Sequence, residues 1–194
     1  MDTYKLKDMY KLKFTRLQNE IFRLLCIKAG MSLNQRGVAR MLRVSPTAIA
    51  KSVQGMEKEG FVNVKKSETM NLLSIELNRD SKRAIELKRV ENLKMVYESG
   101  LSDFLFDEFP GCAIILFGSY SRGEDVWTGE NEENRSDIDI AIIGSKEKNI
   151  ELTRFDKILE RAILINFYPS FKEIHKNLKD NILNGIILTG GVEL

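Results

Sequence analysis

The sequence predicts an α+β protein of two domains, and three observations carry that prediction. Three short amphipathic helices lead into two strand-like runs within residues 15–77. The apolar run 112–117 and the stretch 136–143, isoleucines interrupted by aspartates, read as strands buried in a sheet. Charge divides in the same way. Residues 1–80 carry 15 Lys/Arg against 8 Asp/Glu, residues 81–110 carry 5 against 6, and residues 111–194 carry 10 against 14. A basic first part favours a phosphate backbone as its partner.

Composition excludes several classes. With 43% hydrophobic residues, 13 Gly and 3 Pro, the 194-residue chain is neither a linker nor a disordered chain. No run reaches the ~18 uncharged apolar residues of a membrane span, and the N-terminus lacks the apolar core of a signal peptide. Cys26 and Cys112 form no CxxC pair, and the one histidine, His175, cannot build a Cys/His zinc site. These features predict a cytoplasmic protein with no disulfide framework and no membrane partner.

In the basic part, residues 15–29 place Leu17, Ile21, Leu24, Leu25 and Ala29 at helical spacing, with Gly30 as a stop. Asn34 is an N-cap for a second helix that turns Val38, Met41 and Leu42 inward and ends near Val44. Ser45-Pro46 restarts the chain as a third helix, cap followed by proline at the first helical position, running to about Glu59. Residues 61–64 and 72–77 then read as strands joined by a polar turn. Three helices and a hairpin resemble the winged helix-turn-helix over roughly residues 14–78. The resemblance implies that the third helix enters the major groove of DNA, or meets another nucleic acid, through Thr47, Lys51, Ser52 and Gln54. Lys65 and Lys66 would act from the wing, and Arg36, Arg40 and Arg43 would meet phosphates.

Residues 80–98 read as a charged helix with Ile85, Leu87, Val90, Leu93, Val96 and Tyr97 as apolar positions. Gly100 breaks it, and 101–109 form a second short helix closed by Pro110-Gly111. This stretch reads as a rigid connector that carries no chemistry, and it could equally pair with its copy in a homodimer.

The run 112–117 leads directly into Gly118-Ser119-Tyr120-Ser121-Arg122-Gly123, and a polar loop later comes Ser136-Asp137-Ile138-Asp139-Ile140-Ala141. Asp137 and Asp139 are two residues apart on a strand, so both carboxylates point to one side. Adjacent acids call for a cation, and Mg²⁺ takes oxygen ligands of this kind together with substrate phosphates. A Gly-Ser turn lets backbone approach phosphate oxygens, with Arg122 near enough to help.

Gly118-Ser119 with Asp137-x-Asp139 resembles the signature of the DNA-polymerase-β-like nucleotidyltransferases. GSYSRG…SDIDIAI is similar to that of the minimal prokaryotic members often paired with toxin–antitoxin systems. This resemblance covers about residues 110–194, and the whole chain resembles archaeal proteins in which a winged helix is fused to such a domain. The boundaries it implies are 1–79 for the winged helix, 80–110 for the connector and 111–194 for a nucleotidyltransferase-type α/β domain with a small mixed sheet. It further implies that Asp137 and Asp139 hold two Mg²⁺ ions and that Gly118 and Ser119 hold the phosphates of a nucleoside triphosphate (NTP). The nucleoside monophosphate (NMP) would pass to a hydroxyl acceptor with loss of pyrophosphate. A second reading is a DNA-binding regulator, or an antitoxin-like protein, whose second domain only binds nucleotide or is inactive, and a third is an interaction module in which both domains dock a partner protein.

Two departures stand out. Family members carry a third carboxylate on a later strand, and Asn166, within the strand candidate 162–168, stands about where it is expected. An amide is no base and a poor metal ligand. Glu124, Asp125 and Glu173 are the acids nearby, and spacing selects none of them. The second departure is the loop between Ser119 and Asp137, which is 17 residues long. Its Trp127 reads as packing on a domain edge, with stacking on a base as the alternative.

Overall fold

Thr15 starts the first helix, α1 (Arg16–Ile27), with a capping box. Its hydroxyl accepts from the Gln18 N–H at 3.3 Å, while Gln18 Oε1 accepts from the Thr15 N–H at 2.9 Å. In this computed structural model, residues 14–66, 73–127 and 137–191 are described. The basic stretch 1–13, the wing's turn at 67–72 and the centre of the long loop at 128–136 lie outside the described residues.

Asn34 closes a two-residue strand, β1 (Leu33–Asn34), and caps α2 (Gln35–Leu42) by accepting from the Gly37 N–H at 2.7 Å. A cap of this kind contributes about 1 kcal/mol. Arg43 ends α2 in the left-handed region at φ 56°. Ser45 then accepts from the Ala48 N–H at 3.2 Å and Pro46 occupies the first position of α3 (Pro46–Lys58). The wing is β2 (Val62–Lys66) against β3 (Leu73–Leu77), antiparallel, with β1 on the other side of β3. This order of helices and strands, with its three-stranded β1-β3-β2 sheet, is a winged helix. Its core gathers Ile21, Phe22, Leu25, Ile49, Val53, Met56, Phe61 and Ile75. The Phe14 and Phe61 rings meet edge to face at 4.9 Å.

The helix α4 (Lys82–Glu98), capped by Ser81, joins the two cores: Ala84 belongs to the first, Met95 and Val96 to the second. Its inner face differs from the apolar stripe expected. Val90 and Tyr97 are exposed, whereas Lys88 and Asn92 are buried. After α5 (Leu101–Glu108) the chain forms a four-stranded mixed sheet. It contains β4 (Ala113–Phe117), β5 (Ile138–Ile143), β6 (Ile163–Tyr168) and β7 (Ile186–Thr189) in the order β6-β5-β4-β7, with only β5 and β6 parallel. Between the strands lie α6 (Gly118–Arg122), α7 (Thr153–Leu159), a 3-10 turn at Phe171–Glu173 and α8 (Lys176–Leu183).

The sheet is covered on both faces. Ile114, Leu116, Ile138, Ile140 and Ile142 pack on one side with Leu101, Leu105 and Phe155. On the other, Ala113, Ile115, Phe117, Ala141 and Ile143 pack with Phe171, Ile174 and Ile182. Alternation along β5 therefore puts Asp139 on the second face. No helix among the described residues is long and apolar enough to cross a membrane. Cys26 lies in the first core and burial pushes its thiol well up from the ordinary value.

Candidate active site

β4 and β5 run antiparallel with Phe117 opposite Asp139, so the Gly118-Ser119 turn emerges directly beside the carboxylates. Gly118 has φ +76°, and a Cβ there would lie 3.1 Å from Asp139 Cγ and closer still to Oδ2. The carboxylate thus occupies the space that any other residue's side chain would fill. The turn continues as α6, held by the Ser121 hydroxyl donating to Gly118 O at 2.9 Å. It ends at Gly123, φ +75°, whose notional Cβ would fall 2.7 Å from Ile85 O and 2.9 Å from Arg89 N of α4. Glycine is required at both ends, first for a carboxylate and then for a helix backbone.

Asp137 stands just before β5 and Asp139 is its second residue. Burial, the adjacent Asp137 charge and, in the opposite direction, Arg122 act on Asp139, and the balance raises its pKa above the ordinary carboxylate range. Two carboxylates that repel each other, beside the Gly118-Ser119 turn, are a donor set for a hard divalent cation. They supply two ligands and leave the remainder of an octahedral shell to water and phosphate oxygens. That fits Mg²⁺ held in common with a nucleotide. Among the described residues no third His, Cys, Asp or Glu joins them as a metal cluster.

Asn166 lies on β6, the strand parallel to β5. On β6 the residue level with Asp139 is Leu164, which is exposed, while Asn166 is level with Ala141, two positions farther along. Neither is an acid. The three alternative acids are engaged elsewhere. Glu124 accepts from Arg122 Nε at 2.7 Å, Glu173 accepts from the Ser170 hydroxyl at 3.2 Å, and Asp125 is buried in an ion-pair network. Arg122 itself is exposed at the side of the site.

On the winged helix, Thr47, Lys51 and Gln54 are exposed on α3, and Ser52 is half-buried. Arg36 and Arg40 on α2, and Arg43 at its end, lie outside the buried core. Lys65 and Lys66 are exposed at the end of β2, with Lys65 Nζ 3.2 Å from a Glu76 carboxylate oxygen. His175 is the N-cap of α8, accepting from the Asn177 N–H through Nδ1.

The feature that sequence reasoning missed lies between the halves. Lys88 and Asn92 of α4 both reach Asp125 Oδ1, with Asn92 at 2.7 Å, and Arg161 Nη2 donates to Asp125 Oδ2 at 3.1 Å and to Ile27 O at 2.8 Å. Asn92 also donates to Tyr120 O at 2.9 Å. Trp127 donates its backbone N–H to Ala29 O at 2.7 Å and carries Lys28 Nζ 4.2 Å from its ring, so it packs on the edge of the winged helix. The available signal was the spacing Ala84, Lys88, Asn92, Val96, a continuous helical stripe whose middle members are polar.

Residues 99–189 match the family model of the nucleotidyltransferase domain. No curated protein matches the chain. Among solved structures, the chain is similar to the adhesin competence repressor AdcR from Streptococcus pyogenes, at 19% identity over 54% of this chain and 74% of that one, TM-score 0.39. It is also similar to a mutant form of ZitR from Lactococcus lactis, at 14% identity over 56% and 68%, TM-score 0.38. A third likeness is to S. aureus MepR in complex with DNA, at 14% identity over 49% and 77%, TM-score 0.36. At such scores the winged-helix assignment stands on the element order, strand pairing and caps described above.

Proposed function

We infer, from the nucleotidyltransferase domain at residues 99–189, that the protein transfers NMP from an NTP to a hydroxyl acceptor, with its winged helix engaging nucleic acid. The observation that carries this reading is Gly118, whose missing side chain brings the phosphate-binding turn onto the Asp139 carboxylate. Gly118 and Ser119 hold the triphosphate, Arg122 adds positive charge at its side, and Asp137 and Asp139 hold Mg²⁺, two ions by the family resemblance. The acceptor hydroxyl oxygen would form a bond to the α-phosphorus as the bond to pyrophosphate breaks, its proton passing to solvent water. A divalent cation held there by Asp137 and Asp139 would neutralise phosphate charge and stabilise the attacking and leaving oxygens. The reading is of a cytoplasmic protein with an N-terminal nucleic-acid unit, a helical joint and a C-terminal transfer unit.

Calorimetric titration of ATP, GTP, CTP and UTP with Mg²⁺ tests it. One triphosphate is expected to bind wild type, and the double variant Asp137→Ala/Asp139→Ala is expected to lose that binding. If wild type binds none of the four, the reading falls.

Leu164 beside Asp139 favours a second reading, a DNA-binding regulator that senses nucleotide without transferring it. Binding without pyrophosphate release in the presence of candidate acceptors would select it. For the winged helix, duplex DNA affinity is expected to fall as salt rises. Lys51→Ala is expected to reduce the slope of log K against log salt by about 1, the signature of one lost phosphate contact. An unchanged slope would remove Lys51 from the interface.

A further inference from the structure

The turn that carries Gly118 and Ser119 is built against the other half of the molecule. Tyr120 O accepts from Asn92 Nδ2 at 2.9 Å, Gly123 lies on the α4 backbone at Ile85 and Arg89, and two residues later Asp125 is gripped by Lys88, Asn92 and Arg161. Arg161 extends the grip to Ile27 O at the end of α1. Lys88, Asn92 and Asp125 are each at most 1% exposed.

This cluster is a poor device for stability alone. It sets two cations against one anion out of water. Among the described residues Asn92 Oδ1 and Arg161 Nε are buried without a hydrogen-bond partner. Burial also lowers the Lys88 pKa. Apolar side chains of similar volume would serve a core as well or better, because desolvation of buried charges consumes most of their attraction. What the cluster supplies is direction. The Asn92 amide is shared between Tyr120 O and Asp125 Oδ1, and Arg161 Nη2 between Asp125 Oδ2 and Ile27 O, so the stretch 120–125 is tied to α4 and to the end of α1 at several atoms. The exposed Arg122–Glu124 pair on the same stretch makes no such tie.

We propose that Asn92, Lys88 and Arg161 are positioning residues for the phosphate-binding turn, acting through Tyr120 O and Asp125, so that α4 and the end of α1 set nucleotide affinity. The proposal rests on the reading that this turn binds an NTP. None of the three touches the nucleotide. They hold the peptide groups of 118–123 at the spacing from Asp137 and Asp139 that a triphosphate and its cation bridge.

The test compares full-length variants with the Mg²⁺ complex of whichever triphosphate wild type binds. Asn92→Ala leaves the charged pairs in place and removes the bonds to Tyr120 O and Asp125 Oδ1. It is expected to weaken nucleotide binding about tenfold. Val53→Ala, in the winged-helix core, serves as the control for lost stability. It is expected to lower the melting temperature at least as much while changing affinity less than about twofold. Equal affinity in Asn92→Ala and wild type, or equal loss in both variants, overturns the positioning role. Hydrogen exchange on wild type supplies a second measurement should Asn92→Ala fail to fold. Bound nucleotide is expected to slow exchange in residues 84–96 as well as 118–123. Protection of the turn with no change in α4 overturns the proposal. Absence of binding to wild type removes the nucleotide reading and this proposal with it, an outcome distinct from binding that Asn92→Ala leaves unchanged.

Discussion

Gly118→Ala is expected to weaken Mg²⁺-dependent nucleotide binding by about 100-fold, the equivalent of about 2.7 kcal/mol. Two costs combine. The backbone at φ +76° is left-handed, which costs a residue with a Cβ about 1–2 kcal/mol. The new methyl also falls on the Asp139 carboxylate, so either the turn or the aspartate must move, and either movement separates phosphate from metal ligands. Strain of that size lowers the melting temperature by only about 2–8 °C for a chain of this length. Calorimetry and thermal melting on the same sample distinguish the two costs. Affinity within about threefold of wild type would mean that the Gly118–Asp139 approach is dispensable for the site.

The largest loss of stability is expected from Asp125→Ala. Removing this carboxylate strands Lys88 and Arg161, 0% and 6% exposed, without the counter-charge they share among the described residues. Breaking a buried pair in this way costs about 3–5 kcal/mol, and the melting temperature should fall by about 6–20 °C. Glu124→Ala, one residue away, is the contrast. Its partner Arg122 is exposed, and such a surface pair is worth less than about 1 kcal/mol. If the two variants melt within about 2 °C of each other, the buried cluster contributes no more than a surface ion pair.

The winged helix was legible because its punctuation is chemical and local. Asn34 and Ser45-Pro46 cap the helices that their side chains announce, and Gly60 lies at the turn into the wing. β1 was not legible, since two residues make no alternating pattern, and Leu33–Asn34 is a strand only because Ile75 and Ser74 lie opposite. The pairing of Asp137 with Asp139 was read from the period of two, and the structure buries Ile138, Ile140 and Ile142 as that period requires. The neighbour of Asp139 on β6 is a different kind of fact. It depends on how two parallel strands slide against each other, and a run such as Ile163–Tyr168 contains nothing that fixes the slide. Hydrophobic periodicity also hid the inner face of α4, because Lys88 and Asn92 are core residues by position and polar by chemistry. Their burial became visible only once Asp125 and Arg161 were brought to them from elsewhere in the chain. The helix α7 (Thr153–Leu159) begins without a side-chain cap, so its start carried no signal of that kind.

The seating of Trp127 gives the molecule an optical property. It is the one tryptophan in the chain, and its indole lies half-buried beneath the Lys28 ammonium while its backbone is bonded to the end of the first helix. Excitation at the red edge of protein absorbance therefore addresses a single point, the joint between the basic and acidic halves. Water entering that joint moves the emission to longer wavelength and the departing ammonium alters its intensity. The fluorescence of the unlabelled protein thus records whether its halves part before, or together with, the collapse of either core.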